Sequence, residues 1–162
     1  MGLTLFKLVG SFCLVVSAAI PQSPPTLAVH GIGGSSATLS LAGLSKLPQH
    51  TVKTTDHATP VEFEGVLLQD VLAKVDLPLG EKFHPTVASY YVTIEAKAGY
   101  RAVFAWAEVD SSFMDKSIYL VTERDGKPLA GKDGPFQLVV PGEKRGGRWV
   151  RQAAAINVLK AS

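Results

Sequence analysis

The chain has 162 residues, 46% of them hydrophobic, and 16 Lys+Arg set against 14 Asp+Glu leave a formal charge of +2. That length suits one domain with a real core. The near-neutral charge excludes any argument for a nucleic-acid partner or a membrane surface from bulk electrostatics.

Residues 1–19 carry Lys7, an apolar run from Leu8 to Val16, and Val16-Ser17-Ala18 as small residues for cleavage. This is the pattern of a secretory signal peptide. The run is too short to span a bilayer comfortably, so no stable membrane span is expected after cleavage. Cys13, the one cysteine, falls inside that segment. The mature chain would then have no disulfide, no thiolate nucleophile and no thiolate metal ligand. Export without disulfides points to a bacterial periplasm. Residues 20–36, with Pro21, Pro24 and Pro25, read as an extended lead-in and first strand, and residues 37–162 as the domain.

Thr26 to His30 and Ala37 to Leu41 read as strands around the turn Gly31-Ile32-Gly33-Gly34. That glycine cluster lacks the spacing of a dinucleotide loop. Leu44 to Leu47 reads as one helical turn stopped by Pro48, Thr51 to Thr55 as a strand, and Val61 to Phe63 as another ending at Gly65. Val66 to Val75 has the periodicity of a helix, with Gln69, Asp70 and Lys74 opposite its apolar side. Val87 to Ala96 alternates as a strand, Gly99 turns the chain, and Tyr100 to Phe104 returns. Trp106 to Val109 reads as a helical turn, with Glu108 as a surface or capping residue. Ser117 to Glu123 and Lys127 to Leu129 flank Asp125-Gly126 as a hairpin. Gln137 to Val140 and Ala155 to Leu159 are the last strands. Many strands with one or two helices give an α+β, mostly-β single domain.

The stretch with the clearest chemistry follows Leu138-Val139-Val140-Pro141-Gly142. There Lys144, Arg145, Arg148 and Arg151 surround Gly146-Gly147. Glycines let a backbone approach a ligand, and guanidinium forks suit a phosphate. The segment proposes an anion site, against the plainer reading of a solvated basic loop. Elsewhere the plain readings prevail. Asp56-His57 reads as a polar turn before Pro60 rather than a metal ligand. His30, His50 and His84 have no ligand spacing and read as surface residues. Ser35-Ser36 and Ser111-Ser112 have no recognisable triad partners. Trp106, Trp149, Tyr90, Tyr91 and Tyr100 read as core aromatics rather than a stacking platform.

Taken in order, Phe63-Glu64-Gly65-Val66-Leu67-Leu68, Ala98-Gly99-Tyr100, Asp125-Gly126-Lys127-Pro128-Leu129, Gly134-Pro135 with Leu138 to Gly142, and Gly146-Gly147-Arg148-Trp149-Val150-Arg151 resemble the molybdopterin-binding oxidoreductase domain of the sulfite oxidase family, over about Thr38 to Lys160. The resemblance implies that family's fold and a cofactor contact at Gly146, Gly147, Arg148, Trp149, Val150 and Arg151, facing the pterin phosphate. It also implies a molybdenum held by a pterin dithiolene and one cysteine, a soft donor that tunes the metal. The family's cysteine lies where this chain offers Thr54, Thr55, Asp56 and His57. Ala98, Asp133 and Gln137 stand where the family usually has an acid, a histidine and an arginine, and Arg151 replaces a lysine. The scaffold and an anion cradle are kept while the metal-facing chemistry is lost, so molybdopterin is the expected cofactor and molybdenum is doubtful. Three readings stand. One is a degenerate module that binds a cofactor or anion and has no sulfite oxidase activity. The second is an active molybdenum–pterin oxidoreductase with a non-cysteine ligand. The third is an interaction domain for an exported protein partner.

Overall fold

The computed structural model describes residues 23–162. The expected signal peptide and Cys13 lie outside the described residues. Two five-stranded sheets carry the fold. In the first sheet, β1 (Thr26–His30), β2 (Ser36–Ser40), β5 (Tyr90–Ala96), β6 (Arg101–Ala105) and β10 (Ala153–Lys160) run in the order β2-β1-β10-β5-β6. All its pairings are antiparallel except β1 with β10, where Ala28 faces Ala155. In the second, β3 (His50–Asp56) and β4 (Thr59–Leu67) join β7 (Tyr119–Arg124). β8 (Lys127–Pro128) and β9 (Gln137–Val139) both pair with β7. Short helices α1 (Leu41–Leu44), α2 (Leu68–Leu72) and α3 (Trp106–Val109) link strands. The mostly-β expectation is therefore met.

The local chemistry explains most of these elements. Ser40 caps α1, its hydroxyl accepting the Gly43 N–H at 3.1 Å. Asp125 and Gly126 both adopt positive φ, the geometry of a tight primed hairpin turn. Glu108 caps α3, accepting the Ala105 N–H at 2.8 Å.

The helix expected from Val66 to Val75 needs correction. Val66 and Leu67 belong to β4, paired with Leu120 and Tyr119, and only Leu68–Leu72 is α-helical, followed by a 3-10 turn at Ala73–Val75. An unbroken apolar run fits either period, and here long-range pairing decided. Gly65 does not end its strand. It sits at a register shift, and a Cβ there would lie 2.2 Å from the Leu120 carbonyl oxygen. The helical turn expected at Leu44 falls earlier, and the strand expected from Val87 begins only at Tyr90 after a 3-10 turn.

The main core lies between the sheets. It joins Leu27, Val29, Ile94, Phe104 and Ile156 to the helical residues Leu68, Val71 and Trp106, and to Leu120 and Leu138. A smaller cluster on the other face of the second sheet holds Val52, Val61, Phe63, Val121, Leu129 and Val139. Trp149 packs against both clusters. Burial of these side chains is the main stabilising term, worth roughly 1.5–3 kcal/mol per large residue. It fixes where the C-terminal loop leaves the body.

Candidate functional site

A cleft of about 800 Å³ opens where three turns converge. The β3–β4 turn contributes Thr55 to Ala58, the β5–β6 turn Ala96, Ala98 and Tyr100, and the C-terminal loop Glu143 to Gly147. Lys132, Trp149, Arg151 and Gln152 complete it. The volume suits a small organic ligand.

Each turn has a local reason to be there. Ala96 donates to the Tyr100 carbonyl at 2.8 Å, and Gly99 at φ 84 closes the β5–β6 reversal. His57 and Ala58 reverse the chain between Asp56 and Thr59 with φ of 49 and 68. Two non-glycine residues in the left-handed region are unusual, and such strain collects at functional sites. Trp149 anchors the loop: its indole N–H donates to the Val140 carbonyl at 3.1 Å, and its ring meets Phe63 edge-on at 5.8 Å. The Tyr100 hydroxyl donates to the Gly147 carbonyl, bridging two walls of the cleft.

Of the six residues singled out from the sequence, four line the cleft and two do not. Gly146, Gly147, Trp149 and Arg151 line the cleft, whereas Val150 is fully buried in the core. Arg148 points elsewhere. Its Nε and Nη2 donate to Glu143 Oε1, the Nε bond at 2.8 Å, and its Nη1 donates to Glu108 Oε1 at 2.9 Å. The guanidinium also lies 4.4 Å from the centroid of Phe104. Burial works to lower its pKa, but the hydrogen bonds and charges of Glu108 and Glu143 outweigh that and hold it above the ordinary arginine value. Arg148 is thus a tie between the loop and β6–α3.

Arg151 faces the cleft with its charge already engaged. Its Nη2 lies 3.5 Å from Asp56 Oδ2 and its Nε 3.1 Å from Asp133 Oδ1. Asp56 Oδ2 also accepts from Arg124 Nη1 at 2.9 Å. Asp125, Arg124, Asp56, Arg151 and Asp133 therefore form an alternating chain of charge, of which Asp56 and Arg151 line the cleft. Asp56 occupies the region to which the resemblance assigns the cysteine.

Other charges of the cleft are not engaged. Lys132, Lys144 and Arg145 are exposed, line the cleft, and make no ion pair with any described residue. Lys144 and Arg145 were visible in the basic loop. Lys132 was missed, since nothing in a hairpin-flanking lysine signals a cleft 12 or more residues onward. Of the aromatics read as core, Trp106 is buried and Trp149 half-buried, but Tyr100 is exposed on the cleft. Ala98 lines the cleft, while Gln137 is buried in β9 with both amide atoms unpartnered and does not reach it. His30 and His84 are exposed, and His50 is half-buried against Tyr119.

The structure is thus a mostly-β, two-sheet domain with a cleft between three turns. The family profile described as the oxidoreductase molybdopterin binding domain matches residues 54–162, and the chain belongs to that family. Among solved structures it is similar to the sulfane dehydrogenase SoxCD from Paracoccus pantotrophus, at 19% identity and a TM-score of 0.64. That likeness covers 88% of this chain and 40% of the SoxCD chain, so this chain spans less than half of that protein's length. No curated protein matches the sequence.

Proposed function

We propose that this is an exported binding module for a phosphate-bearing ligand of the molybdopterin type, without sulfite oxidase activity. The observation that carries this reading is which charges of the cleft are already committed. Its lining includes Lys132, Lys144 and Arg145, none of them ion-paired with a described residue, and Gly147, where a Cβ would meet open space. It also includes Asp56, a carboxylate committed to two guanidinium groups.

The residues present fit one part of the cofactor and not the other. A phosphate gains charge-assisted hydrogen bonds from two lysines and an arginine, each worth about 1.5–3 kcal/mol. Ala58, Ala96 and Ala98 give a small-residue wall for a flat ring system, with Tyr100 and Trp149 beside it. At the metal end there is no thiol, and Asp56 Oδ2 would have to leave both Arg124 and Arg151 to ligate. Among the described residues no three His, Cys, Asp or Glu side chains converge as a ligand set. We therefore derive no redox step for this chain. Lys132, Lys144 and Arg145 bind the anion, Tyr100 holds the loop across the cleft, and Arg148 keeps that loop in place.

The test is metal analysis and pterin fluorescence on protein purified from its own host, with pyrophosphate titrated into the purified chain. Bound pterin or pyrophosphate affinity that falls at least tenfold on joint replacement of Lys132, Lys144 and Arg145 by alanine supports the module. Sulfite turnover with molybdenum near one per chain refutes it.

A further inference from the structure

β6 lies at one end of its sheet, with β5 on one side and no strand among the described residues on the other. Along it Arg101, Val103 and Ala105 are exposed, while Ala102 and Phe104 are buried. Two contacts show what its outer edge presents. The Ala105 N–H donates to Glu108 Oε2 at 2.8 Å, and the Val103 carbonyl faces Arg148 Nη1 at 3.5 Å. In an antiparallel pair alternate residues turn their backbone groups to opposite sides, so Arg101, Val103 and Ala105 all turn theirs away from β5. The hairpin agrees. Ala96 donates to the Tyr100 carbonyl at 2.8 Å, so the next pair, Glu95 with Arg101, is of the non-bonded kind.

Such an edge is a template for another strand. The sequence of β6 suits it to a second copy of itself. An antiparallel register centred on Val103 sets Val103 against Val103 and Arg101 against Ala105. No like charges then face each other, and the two-fold pairing closes. Val103, 51% exposed, gains an apolar partner in that register. The ladder needs the N–H and C=O of all three outward residues.

Two of those groups are already covered. Glu108 holds the Ala105 N–H, and Arg148 stands over the Val103 carbonyl. The two side chains are joined, Arg148 Nη1 to Glu108 Oε1 at 2.9 Å. Glu143 accepts from Nε and Nη2 of the same guanidinium, which fixes the fork in place. Of the bonds in a self-paired ladder, only those from the Arg101 N–H to the Ala105 carbonyl of the other copy use groups that are still free.

We propose that Arg148 and Glu108 guard the β6 edge and keep it from pairing with β6 of a second copy. The guard stands on the strand geometry and does not need the anion-binding reading of the cleft.

Sedimentation velocity over a concentration series tests it on the purified chain, beside Glu108→Ala with Arg148→Ala. The unmodified protein should stay monomeric, and the double variant should self-associate at least tenfold more tightly, toward twice the mass. Adding Val103→Lys, at an exposed position, sets like charges opposite each other at the centre of the seam and should restore the monomer. Amide exchange at Val103 should slow in the associated form. Association through unfolding would instead speed exchange at the buried Ile94 and ignore Val103→Lys. Where melting shows the double variant unfolded, Glu108→Ala alone carries the same comparison, since it frees the Ala105 N–H. The guard is overturned if the folded variant stays monomeric, if Val103→Lys leaves the association intact, or if the unmodified protein already pairs with Val103 protected.

Discussion

Replacing Arg148 by alanine tests whether this residue holds the loop or faces a ligand. The change removes two ion pairs, to Glu143 and Glu108, and a guanidinium stacked over Phe104. The Arg148 side chain is 36% exposed, so each pair is worth about 0.5–1 kcal/mol after solvent screening. The stacked contact adds about 0.5–1 kcal/mol. The Glu143 side chain, only 16% exposed, is left without its partner. A loss of about 2 kcal/mol follows, or roughly 6 °C in melting temperature for a domain of this size. Arg148→Lys should recover less than half, because one ammonium cannot serve two carboxylates and a ring. A double-mutant cycle with Glu108→Gln should return a coupling of about 0.5–1 kcal/mol by thermal or denaturant unfolding. Unchanged melting of Arg148→Ala, together with a tenfold loss of pyrophosphate affinity, would refute the structural role.

Asp56→Asn removes one of the two carboxylate charges that engage Arg151 and should raise pyrophosphate affinity about threefold by calorimetry; an unchanged or weaker affinity means Asp133 alone keeps Arg151 out of reach. Gly65→Ala must push β4 from β7, since its Cβ meets the Leu120 carbonyl oxygen and the Val121 Cα. A cost of about 3 kcal/mol is expected, and a denaturant midpoint within 1 kcal/mol of the unmodified protein would contradict the close approach. Asp110 is buried, and burial works to raise its pKa. The N–H groups of Gly80 and Ser112 and the Ser112 hydroxyl outweigh that and hold it below the ordinary value of 3.8. A depressed carboxylate stabilises the fold above its unfolded pKa, and that contribution fades as pH falls through the folded value. Acid titration should therefore show a loss of stability below about pH 4 that Asp110→Asn flattens; an identical acid limb in both proteins would sink this.

The strands were legible where alternation or turn chemistry was strong, as at Thr26 to His30 and around Asp125-Gly126. Val66 and Leu67 were not, because a helix and a buried strand ask for the same residues there, and only pairing with Leu120 and Tyr119 settles it. The site was half legible. Clustered charge marked the loop, but charge alone does not say which cations already have partners. Arg148 is matched by Glu143, near in sequence, and by Glu108, far from it. Arg151, in the turn before β10, is matched by Asp133 and by Asp56 at the end of β3. Lys132 reaches the cleft through tertiary folding alone.

The parallel pairing of β1 with β10 sets an order on assembly. Among the described strands, the second from one edge of its sheet comes first in the chain, and its neighbour at the centre comes last. Ala28 cannot meet Ala155 until the chain has been made through β10, so this pairing is a long-range event that local pairings such as β5 with β6 precede. Removing either β1 or β10 would undo the same pairing. The span matched by the family profile, from residue 54 onward, leaves out β1 and β2, and by itself would expose the β10 edge to other chains.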